Sequence, residues 1–120
     1  MAKKILIVDD SPIIRLILSD LLKENGYEVV GEGCDGVEGV QKYKELKPDL
    51  VTMDITMPNK DGIDALRDIL DINRNTKIIM ITAIDQRDSL MTAIRAGAID
   101  YIVKPFENDR VLSAIKKAIG

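Results

Sequence analysis

Five side chains in this sequence could meet to do chemistry: the acid pair Asp9-Asp10, the lone acid Asp54, the hydroxyl of Thr82 and the amine of Lys104. Each stands at the end of an apolar run. Asp9-Asp10 follow Ile5-Leu6-Ile7-Val8, and Asp54 follows Leu50-Val51-Thr52-Met53. Thr82 closes Ile78-Ile79-Met80-Ile81, and Lys104 follows Tyr101-Ile102-Val103. An acid at the end of a buried strand can be a turn or helix cap, or it can be a nucleophile or metal ligand. Asp54 alone favours the cap. Polar groups delivered by four strands favour a site. Carboxylates about 4 Å apart repel by roughly 4 kcal/mol at a surface-like effective dielectric, so such a cluster wants a cation. Oxygen donors select a hard ion, and Mg²⁺ fits best because it takes few protein ligands and keeps positions for water and phosphate. No glycine-rich phosphate cradle follows the first strand, and an acidic loop there repels phosphate unless a metal intervenes. The set therefore reads as a Mg²⁺ site first and a phosphoryl site second. One carboxylate attacks phosphorus, while Mg²⁺, Lys104 and the Thr82 hydroxyl stabilise charge on the equatorial oxygens.

Composition narrows the classes. With 120 residues the chain reads as one domain, residues 1–120, able to bury a real core. A net charge of -3 and 3% aromatic residues argue against a nucleic-acid binder. No apolar run has the length of a membrane span, and Met1-Ala2-Lys3-Lys4 leads straight into a strand, so a cytoplasmic protein is expected. The absence of histidine removes Ser/His and Cys/His triads and the usual zinc sites. The single cysteine, Cys34, is expected to be a small semi-buried residue.

The elements that must position these groups alternate. Strands are expected at Lys4–Val8, Tyr27–Gly31, Leu50 to Asp54, Lys77–Thr82 and Asp100–Val103, the second weak and charged enough to be an edge. Ser11-Pro12 opens the first helix as cap and first helical residue, with Ile14, Ile17, Leu18, Leu21 and Leu22 as its core face and Asn25-Gly26 at its end. Val37, Val40 and Tyr43 mark a second helix. Asp61-Gly62 precede a third, which carries Ile63, Leu66, Ile69 and Leu70. Asp85 is expected to cap a fourth helix through Leu90, Ala93 and Ile94, and Asn108-Asp109 a fifth with Val111, Leu112, Ile115 and Ile119. Five strands alternating with five helices predict an α/β fold with a parallel sheet covered on both faces and ligands beyond the carboxyl ends of its strands.

The acid pair after the first strand, Asp54 before a Met-Pro turn, Thr82-Ala83, and Lys104-Pro105-Phe106 together resemble the receiver domain of two-component response regulators. The likeness spans the chain and is nearest to single-domain chemotaxis regulators of the CheY type. It implies a flavodoxin-like, doubly wound sheet of order 2-1-3-4-5. It implies that Asp54 is the phosphoacceptor, that Asp9 and Asp10 help hold Mg²⁺ with Asp54, and that the Thr56 backbone carbonyl completes the protein ligands. Lys104 then contacts the phosphoryl group, across a cis Lys104-Pro105 bond, and Thr82 with Tyr101 forms the switch. The implied phosphodonor is a histidine kinase of the CheA-like kind, since this chain has no histidine of its own. The implied target is a motility-motor switch component or an adaptor, with room for a separate phosphatase, and the protein is expected to be a monomer. Thr56 and Ile84, two residues after Asp54 and Thr82, are the positions that tune phosphoryl lifetime in that family.

Two other readings compete. A Mg²⁺-dependent aspartate phosphatase or phosphotransferase acting on external substrates usually carries a second acid two residues after its nucleophile; Thr56 stands there. A flavin-binding flavodoxin needs a hydroxyl-rich phosphate loop after the first strand, where Asp9-Asp10 stand. The bland readings of single residues are a helix cap for Asp10, an ordinary strand-end threonine for Thr82, a solvated lysine for Lys104 and a packing ring for Tyr101. Met53 and Met57 read as packing residues.

Overall fold

A computed structural model of the chain describes residues 2–83 and 85–120; Met1 and Ile84 lie outside the described residues. Strands β1 (Lys4–Val8), β2 (Glu28–Gly33), β3 (Leu50–Met53), β4 (Lys77–Ala83) and β5 (Asp100–Lys104) alternate with helices α1 (Pro12–Glu24), α2 (Gly36–Leu46), α3 (Gly62–Ile72), α4 (Arg87–Ala96) and α5 (Asn108–Ile119). All strand pairs are parallel, in the order β2-β1-β3-β4-β5. That is the expected doubly wound topology. It brings every strand's carboxyl end to one edge and puts the reversal of strand order between β1 and β3. Asp9 and Asp54 are the residues that leave those two strands. No helix among the described residues is long and apolar enough to cross a membrane.

The pleat sorts the core into two layers. Leu6, Val8, Val51, Met53, Ile78 and Met80 face α2, α3 and α4. Ile5, Ile7, Leu50, Ile79, Ile81 and Ile102 face α1 and α5. Both faces of the central strands are therefore apolar, which explains their unbroken hydrophobic runs. β2 is an edge strand, as its charge predicted, and its register slips by one residue between Ile5 and Leu6 of β1.

Helix starts follow local chemistry, with two corrections. Ser11 Oγ accepts from Ile14 N at 3.3 Å and Asp61 Oδ1 from Asp64 N at 2.9 Å, each supplying an acceptor to a first-turn amide. Asp85 does not cap α4. That helix begins at Arg87 with Gln86 at the cap position and no side-chain bond there, so Asp85 lies a residue too early to reach the first-turn amides. Asn108 does not cap α5 either: it is already the first helical residue, behind Glu107. Asp109 instead places its charge in the first turn, where the helix dipole favours it.

Four burial expectations also change. Ile17, Val37 and Ile94 are exposed rather than core. The buried apolar residues of α1 are Leu18, Leu21 and Leu22, with Ser19 beside them, a narrower face than the apolar count of its sequence. Cys34 is exposed, because β2 runs on to Gly33 and leaves the thiol beyond the strand's end.

Candidate functional site

Asp9 continues the α1/α5 side of β1, and Asp54 does the same for β3. Asp9 is 1% exposed and Asp54 7% exposed, whereas Asp10 is turned to solvent. Oxygens of all three carboxylates lie within 4.8 Å of one another. Lys104, the last residue of β5 and on the same side as Ile102, reaches across the sheet edge to them. Its Nζ donates to Asp9 Oδ2 at 2.8 Å and to Asp54 Oδ2 at 3.1 Å. Thus the four charged residues singled out in the sequence do meet, and the solvated-lysine reading of Lys104 is wrong. The Lys104-Pro105 bond is cis.

Backbone donors hold the acids in place. Asp9 Oδ1 accepts from Ser11 N at 2.9 Å and Asp54 Oδ1 from Ile55 N at 2.7 Å. That leaves Oδ2 of each acid facing the amine. Gly62 closes the base of the loop after Asp54: its N–H donates to Ile55 O at 2.7 Å. A Cβ at this position would stand 1.8 Å from Asp54 O, so only glycine fits. Arg15, which the sequence reading passed over, donates to Asp9 O at 2.7 Å and to Glu32 Oε1 at 3.2 Å. It ties the end of β1 to α1 and β2. Its signal was weak, an arginine on an otherwise apolar helix stretch.

Electrostatics follow from this packing. Burial pushes the Asp54 carboxyl above its ordinary value and the charge of Asp9 adds to the rise; Lys104 and the Ile55 amide oppose it without cancelling it. For Lys104, burial alone would lower the amine, but the bond to Asp9 and the charges of Asp54 and Asp9 outweigh it and hold the amine above its ordinary value. One amine thus compensates two buried acids, with Asp10 as a third acid beside them. The excess of negative oxygen donors suits a hard divalent cation, so Mg²⁺ fits the residues present. Asp9, Asp10 and Asp54 are the side chains that would hold it. Thr56 is exposed, on the loop directly after Asp54.

Thr82 and Tyr101 lie on the other face of the sheet. Thr82 follows Met80 on the α4 side of β4, and Tyr101 sits opposite Met80 in register. The Thr82 hydroxyl is buried and has no hydrogen-bond partner among the described residues. Tyr101 is 44% exposed, so it is not a packing ring. It borders a groove of about 320 Å³ between Leu90, Met91 and Ile94 of α4 and Val103 of β5. The structure brings Thr82 and Tyr101 to one face but records no contact between them.

A doubly wound α/β sheet with an acid cluster and a bridging lysine at its topological switch point defines a receiver-type phosphorylation domain. Residues 5–116 match the response regulator receiver domain family, and the chain belongs to that family. It is 54% identical over 120 residues to the chemotaxis protein CheY of Bacillus subtilis, covering 100% of both chains. To the chemotaxis protein CheY of Thermotoga maritima it is 53% identical over 117 residues, covering 98% of each. Among solved structures, the CheX-CheY-BeF3-Mg²⁺ complex from Borrelia burgdorferi superposes with a TM-score of 0.93 at 34% identity, covering 98% of this chain and 90% of that one. The chain is a response regulator receiver domain homologous to chemotaxis regulators, and the phosphatase reading is not favoured.

Proposed function

We propose that Asp54 accepts a phosphoryl group from a phosphohistidine on a separate kinase, with Mg²⁺ held by Asp9, Asp10, Asp54 and the Thr56 carbonyl, and that phosphorylation directs docking to a chemotaxis partner. The observation that carries this reading is the bridging of Asp54 and Asp9 by Lys104 in an otherwise acidic pocket. In the transfer, the P–N bond to imidazole breaks and a P–O bond to an Asp54 oxygen forms. When bound, Mg²⁺ neutralises charge on the transferring group. The residues here do the rest. Ile55 N holds Asp54 Oδ1 so that the other oxygen faces the pocket, and Lys104, already poised between two carboxylates, can follow the new negative charge. Hydrolysis later returns phosphate, with water as the acceptor. The chain thus acts on itself as a switch, and not as an enzyme turning over external substrate.

Output is proposed to run through Thr82 and Tyr101. Thr82 ends the strand beside Asp54 at the same edge of the sheet, so phosphoryl oxygens projecting past that edge from Asp54 give its hydroxyl, without a partner among the described residues, something to donate to. Its movement vacates space on the α4 side of the sheet, into which the half-exposed Tyr101 ring can turn. This is a shift of population between conformations already accessible. It reshapes the face of α4, β5 and α5, where Arg87, Arg95 and Lys117 are exposed. A motor switch component or an adaptor docking there is a cytoplasmic partner, and the receiver is proposed to act as a monomer. The test is amide NMR with beryllofluoride at Asp54: shifts reach Tyr101 and α5 in wild type and stop short of them in Thr82→Ala. Wild-type shifts confined to the acidic pocket would refute this output path.

A further inference from the structure

The loop between Asp54 and α3 is anchored by a part of the fold that the site as described does not use. At its tip Asn59 has φ +67°, a left-handed conformation, and Lys60 N donates to Pro58 O at 2.7 Å around it. This is a γ-turn of positive φ, the rarer and strained kind. Two bonds to the start of α2 hold it. Asn59 Nδ2 donates to Asp35 Oδ2 at 2.7 Å, and Gly36 N donates to Lys60 O at 2.9 Å. The approach is so close that a Cβ on Gly36 would stand 2.4 Å from Lys60 O.

Asp35 serves both elements. Its Oδ1 accepts from Glu38 N at 2.8 Å and caps α2, while its Oδ2 holds the loop. The carboxylate is buried and its pKa is lowered by the Glu38 amide first and the Asn59 amide second. Together with the Gly62 bond at the base, the segment from Ile55 to Asp61 is fixed at both ends. Within it, Thr56 O accepts no backbone hydrogen bond among the described residues.

We propose that Asp35 and Asn59 are positioning residues for the cation site: by clasping the tip of the loop to α2 they set where the Thr56 carbonyl points, and so set Mg²⁺ affinity. The inference rests on the reading of Asp54 and the Thr56 carbonyl as Mg²⁺ ligands. Residues that orient a ligand without touching the metal typically contribute tenfold or more to its affinity.

The test measures Mg²⁺ binding by isothermal titration calorimetry on the full chain, for wild type, Asn59→Gly, Asp35→Ser, the double variant and Asp54→Asn. Asn59→Gly keeps the left-handed backbone accessible and removes the side-chain bond, while freeing the backbone at the tip; Asp35→Ser breaks the same bond without touching the loop. Asp35→Ser keeps a cap for α2 and loses the reach to Asn59. Each single variant is expected to weaken Mg²⁺ by roughly tenfold. The double variant is expected to be no weaker than the worse single one, because both remove the same contact. Thermal unfolding separates positioning from mere stability: the rise in Tm on adding Mg²⁺ shrinks in the variants, whatever their Tm in EDTA. Wild-type Mg²⁺ affinity in Asn59→Gly, with Asp54→Asn weakened, would overturn the clasp and leave the site standing. Unweakened binding in Asp54→Asn would overturn the site itself, and the clasp with it.

Discussion

Asp10→Asn should make the metal-free protein more stable while making it a worse Mg²⁺ binder. Asp10 is exposed, accepts no hydrogen bond with its side chain among the described residues, and has an oxygen within 4.8 Å of those of Asp9 and Asp54. At that distance each like-charge pair costs about 0.9 kcal/mol at the dielectric of water. Two pairs give about 2 kcal/mol, which the opposing attraction of the Lys104 amine beside both acids, together with residual salt, reduces to about 1 kcal/mol. Lys104 pairs with Asp9 and Asp54, so the amide breaks no ion pair among the described residues. For a domain of this size the gain corresponds to a Tm rise of about 4 °C. The assay is thermal unfolding in EDTA at low salt, repeated in 1 M NaCl and then with increasing Mg²⁺. The gain should shrink in high salt, and added Mg²⁺ should raise the Tm of wild type more than that of the variant. An unchanged Tm in EDTA, or an equal response to Mg²⁺, would show that Asp10 is no part of the cluster.

Two further perturbations follow from the buried groups. Asp54 has its pKa raised by burial and by Asp9, so its ionisation costs stability: the carboxyl's contribution is fully present below the unfolded value of about 3.9 and is lost as pH rises through the higher folded value. Asp54→Asn should therefore match wild type near pH 3.5 and become increasingly the more stable of the two as pH rises, in metal-free unfolding curves; a gap that closes with rising pH would contradict the raised value. Thr52, 1% exposed and without a hydrogen-bond partner among the described residues, lies between Ile7 and Ile79 in register. Thr52→Val, which keeps the shape and removes the stranded hydroxyl, should stabilise by about 1–2 kcal/mol in denaturant titration, and a loss of stability would mean that the hydroxyl is satisfied.

What could be read from the sequence was what repeats or punctuates. Apolar runs closed by Asp9, Asp54, Thr82 and Lys104 marked the strands and the edge on which the site sits, and their alternation with helices made the sheet parallel, whereas the order of the strands came from the resemblance to receiver domains. Ser11-Pro12 and Asp61-Gly62 placed two helix starts, because a cap side chain acts on amides only two or three residues away. Asp85 and Asn108 failed for the same reason, since the type of residue was right and its offset was wrong by one. Cys34 depended on where β2 stops, and a charged edge strand has no sharp end in its pattern. The clasp between Asp35 and Asn59 joins residues 24 apart in the sequence. Nothing local to Asp35 could show which loop its second oxygen would hold. That Thr82 and Tyr101 lie on the opposite face from Asp54 and Lys104 follows from the pleat once register is known, and register is a property of the folded sheet.

The most direct measurement is the site of phosphorylation. The protein is incubated with acetyl phosphate and Mg²⁺, the acyl phosphate is trapped by borohydride reduction, and the modified peptide is sequenced by mass spectrometry. The account predicts a single modified residue, Asp54, with labelling abolished by EDTA and by Asp54→Asn. Labelling at another acid in wild type, or labelling of Asp54→Asn equal to wild type, would contradict it.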